Sequence, residues 1–190
     1  MANMNAANAL MFGSENDSFF LGDGKVDLTS IVDLETQLPA GLEDVGWIGE
    51  DGMTINLSDS VDKIRGHQKH GVVKTYMSDS STGIEVLVLE SKLKTFLAYF
   101  DATAKKISPS NIAKIEIPAS RKVRTMTAVI DAFDTSDASI QWRVLLPNIQ
   151  LGKRDAVQIK IGELTTYKFT FEILDKFTLL TNAPALIPAG

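Results

Sequence analysis

The chain has 190 residues, of which 44% are hydrophobic and 23% charged, as in folded globular domains. It contains no cysteine, which excludes disulfides, thiol nucleophiles and thiolate metal ligands. The net charge of −5 argues against a protein that wraps nucleic acid, because such proteins present a basic face. The apolar runs are too short to cross a bilayer, and residues 1–8 do not resemble a signal peptide. We therefore expect a soluble protein made in a cytoplasm.

The charges are unevenly distributed along the chain. Residues 1–60 contain 11 acidic side chains and one basic side chain, Lys25, for a net charge of −10. Residues 61–190 contain 13 acidic and 18 basic side chains, for a net charge of +5. This pattern is typical of charges that cluster by chance on solvated loops. It also fits a polar subunit whose acidic surface meets a basic surface on its neighbour.

The first 24 residues are predicted to form an N-terminal arm. Residues 13–18 are polar and turn-forming, and they precede a short apolar group formed by Phe19, Phe20 and Leu21. An isolated apolar group in an arm favours docking on another subunit. Phe19, Phe20 and Leu21 are therefore candidate inter-subunit contacts.

From residue 25 onward, most of the chain has the period of two that is typical of half-buried strands. The pattern predicts strands at residues 53–57, 84–89, 112–117, 157–161 and 167–173. Glycine-rich or polar segments predict turns at residues 49–52, 79–83 and 161–164.

One segment has helical spacing instead. Apolar residues at Leu93, Phe96, Leu97 and Phe100 follow the i, i+3, i+4, i+7 pattern, and Ser91 is the expected N-cap. A single helix among many strands predicts a mainly β fold, a β-sandwich or barrel with one packed α-helix. We expect one such domain over residues 25–180, followed by an extended C-terminal arm over residues 181–190.

Residues 58–71 are predicted to be a long loop between two strands. A loop of this length in a compact β domain usually carries function or contacts. The candidate inter-ring or inter-subunit residues in it are Asp62, Lys63, Ile64, Arg65, His67 and Gln68. The only two histidines, His67 and His70, have a spacing that suits a metal pair, but no third ligand is evident and a solvated loop is favoured.

The sequence contains none of the familiar catalytic or nucleotide-binding motifs. There is no Gly-x-Ser-x-Gly elbow, no P-loop, and no Gly-x-Gly-x-x-Gly between a strand and a helix. We therefore predict a protein that is not an enzyme, with no catalytic residue, no cofactor and no metal.

An ordered series of short segments resembles the major tail proteins of siphophages, particularly those that infect actinobacteria. The segments are VGWIGEDGMTI (45–55), VDKIRGHQ (61–68), VVK (72–74), VLVLES (86–91) and LAYF (97–100). The match covers about residues 40–100. His67 stands where that family often has Trp, and Lys92 where it often has Asn. Many relatives also carry a C-terminal immunoglobulin-like domain, which this chain is too short to hold.

The resemblance implies a tail tube subunit that forms stacked, six-fold rings around a lumen. It implies a location in the virion tail after assembly in the host bacterial cytoplasm. The implied partners are the chain itself, a tape measure protein inside the tube, and the tail terminator and distal tail proteins. Genomic DNA would pass in transit without tight binding, and the mature tube would contact no membrane. A tube protein of a related injection machine, such as type VI secretion, and a soluble ligand-binding β-sandwich remain as alternatives.

Overall fold

The computed structural model describes residues 4–188, which form a mainly β structure with one α-helix and two short 3-10 helices. The mainly β fold with one packed helix that the sequence predicts is therefore confirmed. The strands are β1 (Ser18–Asp23), β2 (Leu42–Asp44), β3 (Ile48–Arg65), β4 (Val72–Val88), β5 (Thr103–Ile107), β6 (Ile112–Glu116), β7 (Arg124–Phe133), β8 (Gln141–Arg154), β9 (Tyr167–Ile173) and β10 (Thr178–Thr181). The helix α1 spans Leu93–Phe100, and the 3-10 helices span Ala6–Asn8 and Pro184–Leu186.

Eight strands form one antiparallel sheet that curls around the core into a body that we call the barrel, whose end strands β2 and β3 do not pair with each other within residues 4–188. Its order is β2-β1-β7-β8-β9-β4-β3, and β10 pairs with β8 beside β9. The chain that runs from β2 into β3 joins the two ends of the sheet. The N–H of Val45 donates to the carbonyl of Phe19 in β1. The N–H of Leu89, just beyond β4, donates to the carbonyl of Trp47. The ring centroids of Phe19 in β1 and Phe171 in β9 lie 6.0 Å apart. Three strand spacings in a flat sheet would separate β1 from β9 by about 14 Å, so the sheet is strongly curled.

The barrel interior holds the main core, and a second apolar layer covers part of its outside. Alternate residues of β1, β4, β7, β8 and β9 point inward and are almost fully buried. On the outer face, Leu28 and Ile31 from the segment before β2 cover Val129 and Leu145. The same outer face holds a buried ion pair at 2.7 Å between Arg143 Nε and Asp131 Oδ1. The middle parts of β7 and β8 are therefore buried on both faces.

Helix α1 forms where the sequence predicts it but is rotated from the expected orientation: Phe96 and Phe100 of the expected face are partly buried against the core, whereas Leu93 is not. Thr95, Ala98 and Tyr99 are the buried residues, whereas Leu93 is 58% exposed. The ring of Tyr99 reaches the core and packs edge-on against Phe169 at 5.0 Å, which turns the helix away from the expected face. Burial of Tyr99 raises the pKa of its phenol. Ser91 is not the N-cap: the cap is Lys92, and the Ser91 hydroxyl hydrogen-bonds the Tyr167 hydroxyl.

Several predicted strands and turns differ in the structure. Strands occupy residues 53–57, 84–88, 112–116 and 167–173 as expected, but residues 157–161 form no strand, and Ile159 and Ile161 are exposed. The predicted turn at 49–52 lies inside β3, where the register shifts and Gly52 has a φ of 67°. The predicted turn at 79–83 lies inside β4, paired with residues 56–60. The polar sequence of residues 79–83 resembles a turn because both faces of the paired strands are exposed to solvent at this point.

The N-terminal arm predicted for residues 1–24 is also corrected. Residues 18–23 of this segment form β1, which lies between β2 and β7 in the sheet. The apolar group at residues 19–21 alternates between the two cores of the domain, which explains why apolar side chains are present there.

Candidate functional site

The predicted loop at residues 58–71 is the outer part of a long hairpin that leaves the barrel. Strand β9 pairs with β4 only from Thr82 to Val88, so beyond the pair Leu57↔Thr82 the strands β3 and β4 have only each other. We define residues 57–82 as the arm. From Leu57 to Arg65 the arm extends about 30 Å, at the usual rise per residue of a strand. Both of its edges are free of partners within the described part of the chain.

One face of the arm carries apolar side chains that are open to solvent, interspersed with polar ones such as Asp59, Lys63 and Ser80. Directly paired residues of antiparallel strands lie on the same face, so Leu57, Val61 and Met77 share the face of Ile84, which points into the barrel. Leu57 is 73%, Val61 54% and Met77 56% exposed. The core-facing side of the sheet thus continues beyond the barrel with nothing in residues 4–188 to cover it.

The tip of the arm is an ordered, basic turn. Gly66 donates its N–H to the carbonyl of Gly71 at 2.9 Å, and Arg65 Nη1 donates to the carbonyl of His70 at 3.2 Å. Lys69 and His70 adopt positive φ values of 57° and 50°. The basic side chains around the tip are Lys63, Arg65, Lys69 and Lys74, and Asp62 is the one acidic side chain among residues 61–77.

The candidate contact residues divide into two groups. Asp62, Lys63, Ile64 and Arg65 lie at the end of β3, and His67 and Gln68 lie in the turn; all six are exposed. In contrast, Phe19 and Leu21 are each 1% exposed and belong to the barrel core. The prediction that these two contact another subunit is corrected, because their side chains are already buried within their own domain. Phe20 points to the outer face and is partly buried against the second core.

A large groove lies at the root of the arm. It has a volume of about 1140 Å³ and is bounded by residues 12–18, by the start of β3 at residues 46–53, and by Glu90 and Lys92. Its floor contains Ile130, Val144 and Trp142 from β7 and β8. We call it the acidic groove, because Lys92 is the one basic residue in a lining that includes six acidic residues. These are Glu15, Asp17, Asp44, Glu50, Asp51 and Glu90.

The N-terminal wall of the groove is fixed to the connection between β7 and β8. Asp134 Oδ2 accepts the N–H of Met11 at 2.7 Å, and Asp17 Oδ1 accepts the N–H of Phe133 at 2.8 Å. The pKa of the Asp134 carboxyl is lowered, first by the bond from Met11 and then by those from Ser136 and Asp137. The wall is therefore held by carboxylates that receive backbone N–H groups.

The opposite wall depends on a glycine. Glu90 Oε1 accepts the backbone N–H of Trp47 at 2.8 Å. Trp47 lies at the edge of the groove and is 76% exposed. The preceding residue, Gly46, has a φ of 90°, and a Cβ there would collide with the Glu90 carboxylate. Only glycine suits both this backbone conformation and this close approach.

Three acidic residues on the rim are exposed, and one of them, Asp51, interacts electrostatically with Lys168. These three are Glu15, Glu50 and Asp51, and their carboxylates make no hydrogen bond or salt bridge within residues 4–188. The local sequence did not predict the groove, because its walls come from segments more than 100 residues apart, as the Met11–Asp134 contact illustrates. The excess of acidic residues in the first 60 residues was the one available indication.

A second hairpin, β5–β6, also carries basic residues and pairs with no other strand. Lys105 lies directly opposite Lys114, and Ile107 lies opposite Ile112. Both strands are largely exposed. Lys114 forms an ion pair with Glu116 at 2.6 Å.

The described residues form no cluster of three or more His, Cys, Asp or Glu side chains able to hold a metal ion. His67 and His70 therefore lack a third protein ligand among residues 4–188. No helix in the described ranges is long and apolar enough to cross a membrane.

Several solved structures contain a chain of partly similar fold, among them the following three. One belongs to the virion of a native gene transfer agent particle, with a TM-score of 0.42 and 10% identity over 85% of this chain and 94% of the other. One belongs to the tail of an empty gene transfer agent particle, refined with C6 symmetry, with a TM-score of 0.41 and 9% identity over 84% and 93%. The third belongs to the sheath-tube complex of an extracellular contractile injection system in the extended state, with a TM-score of 0.40 and 11% identity over 94% and 98%. No family model and no curated protein matches the sequence.

Proposed function

We propose that this chain is the structural subunit of a tail tube, whose copies form stacked rings of six around a lumen through which DNA passes into a host. The observation that carries the proposal is the arm, whose exposed apolar side chains Leu57, Val61 and Met77 continue the core face of the barrel beyond the domain. A face of this kind is costly to leave in water and is expected to be covered by another copy. The resemblance of residues 40–100 to siphophage major tail proteins supports the same role.

The proposal extends to the partners and the location of the tube. The chain assembles with itself in the host bacterial cytoplasm and resides in the virion tail. A tape measure protein occupies the lumen during assembly, and tail terminator and distal tail proteins close the ends. The net charge of −5 supports the passage of DNA without tight binding, since fixed basic charges facing the lumen would retain it. The role is structural, with no enzymatic activity.

Electron microscopy of the purified chain tests the proposal. We expect tubes or stacked rings from the unmodified chain. A variant in which Asn-Gly replaces residues 58–81 joins the directly paired Leu57 and Thr82 by a two-residue turn and removes the arm without disturbing the barrel. We expect this variant to fold but not to form tubes.

The second hairpin supplies the matched control. Replacing residues 106–113 by Asn-Gly joins the paired Lys105 and Lys114 and leaves the arm intact. Circular dichroism and thermal unfolding establish that both variants fold. An unmodified chain that remains a monomer at all concentrations would contradict the proposal and favour a ligand-binding β domain. If the tube of the intact particle does not carry DNA, a related injection machine would be favoured instead.

A further inference from the structure

We propose that the acidic groove of one copy receives the tip of the arm of a second copy of this chain. The inference rests on the proposed tube function and names the contact that would join successive copies. The groove and the arm tip are thus two halves of one interface, and every subunit carries both.

The charges of the two surfaces are complementary. The tip presents Lys63, Arg65, Lys69 and Lys74, with Asp62 as its one acidic side chain. The groove presents Glu15, Glu50 and Asp51, whose carboxylates make no hydrogen bond or salt bridge with any described residue. Complementary charges of this kind accelerate encounter and select the correct orientation.

The apolar parts of the two surfaces also match. The face of the arm that carries Lys63 and Arg65 also carries Val61 and Met77, because all four lie on the core-facing side. The groove places Trp47 at its edge, with the ring 76% exposed. An exposed tryptophan beside an apolar floor is the type of residue that dominates the binding energy of protein interfaces.

The geometry requires the tip to come from another copy. The groove lies at the root of its own arm, where Met53 and Ile55 help to line it. The tip is about 30 Å further along the same pair of strands, so it cannot return to its own groove without unpairing them. A tip-to-groove contact between copies uses a different surface on each partner, which generates a closed ring or an open-ended stack of fixed polarity, depending on the rotation between copies.

Charge reversal on each side tests the contact. The arm variant Lys63→Glu with Arg65→Glu and the groove variant Glu50→Lys with Asp51→Lys change only exposed side chains. We expect each variant alone to lose assembly, with a dissociation constant raised about tenfold for each reversed charge pair. We expect the chain that carries all four substitutions to assemble again, because both halves are then reversed together.

Mixing the two variants gives a sharper readout. The normal tip of the groove variant fits the normal groove of the arm variant, and the reversed tip of the arm variant fits the reversed groove, so both contacts form between unlike copies. We expect sedimentation to show that the mixture assembles although neither variant assembles alone. Lys105→Glu with Lys114→Glu on the second hairpin is the control with the same charge change, and we expect it to assemble normally.

The outcomes separate this inference from the proposed function. If the unmodified chain forms tubes but neither variant is impaired, or the fourfold variant is not rescued, the tip-to-groove contact is overturned while the tube stands. If only the control loses assembly, the groove receives the second hairpin instead and the inference is overturned. If the unmodified chain forms no tubes but the two variants associate when mixed and not alone, the contact stands and the tube function fails.

Discussion

At the scale of single residues, Asp134 has a disproportionate effect on the groove. Its carboxylate accepts the N–H groups of Met11, Ser136 and Asp137, so one side chain joins the N-terminal wall to the β7–β8 connection. Bonds to the charged form lower its pKa, and the Met11 bond contributes most. A carboxyl group with a lowered pKa stabilises the folded state above its unfolded pKa. That contribution is lost as the pH falls through the folded pKa.

We expect Asp134→Asn to loosen the wall at neutral pH. The amide can accept only one of the bonds from Met11 and Ser136 as well as a carboxylate does, so hydrogen exchange at Met11 should accelerate and become less sensitive to acid. Exchange measured by mass spectrometry over residues 10–17 checks this. Asp27→Asn is the control, since Asp27 also has a lowered pKa but binds only Thr29, far from the groove. Equal protection of residues 10–17 in both variants would contradict the expected role.

At the scale of elements, α1 shows how a helix can be placed correctly and oriented wrongly from sequence. Periodicity favoured a buried face with Leu93, but Tyr99 is 2% exposed and contacts Tyr167 and Phe169, whereas Leu93 is 58% exposed. We expect Tyr99→Ala to cost about 3–5 kcal/mol and Leu93→Ala less than about 0.5 kcal/mol. Denaturant unfolding measures both. A large cost for Leu93→Ala alongside a small one for Tyr99→Ala would restore the face predicted from periodicity.

A third substitution, at position 99, separates the contribution of the ring from that of the hydroxyl. Tyr99→Phe keeps the ring contacts and removes only the hydroxyl that donates to the carbonyl of Asp155 at 2.7 Å. We expect it to cost about 1 kcal/mol, the usual value of such a bond. A cost similar to that of Tyr99→Ala would mean that the hydroxyl, and not the packing of the ring, holds the helix in place.

Strands were predictable only where one face is buried and the other is wet. Strand β9 alternates strictly because Tyr167, Phe169 and Phe171 point inward and Lys168 and Thr170 do not. Strands β7 and β8 show no such period, because the outer apolar layer covers their second face. The arm was mistaken for loops and turns because both of its faces lie in water. The groove brings together distant segments, which no local pattern can indicate.

At the scale of the whole molecule, the net charges of −10 over residues 1–60 and +5 over residues 61–190 acquire a structural meaning. The acidic excess includes five of the six carboxylate residues that line the groove, and the basic excess includes the tip of the arm. A head-to-tail stack would bring these two regions together at every junction. The reversed orientation would oppose like charges and would be disfavoured.

We therefore expect tube growth to slow as salt rises. Charge screening shortens the range of attraction from about 10 Å at 0.1 M to about 3 Å at 1 M, so the association rate should fall about tenfold or more across a sodium chloride series. Light scattering during polymerisation measures this rate. Salt should affect the stability of preformed tubes less than it affects their growth rate. It weakens ion pairs but does not weaken the burial of the apolar side chains of the arm. The arm variant Lys63→Glu with Arg65→Glu supplies the control, since salt screens the repulsion between its tip and the groove and its growth should stay flat or rise. A rate that is flat or rises with salt in the unmodified chain would mean that apolar contacts alone drive assembly.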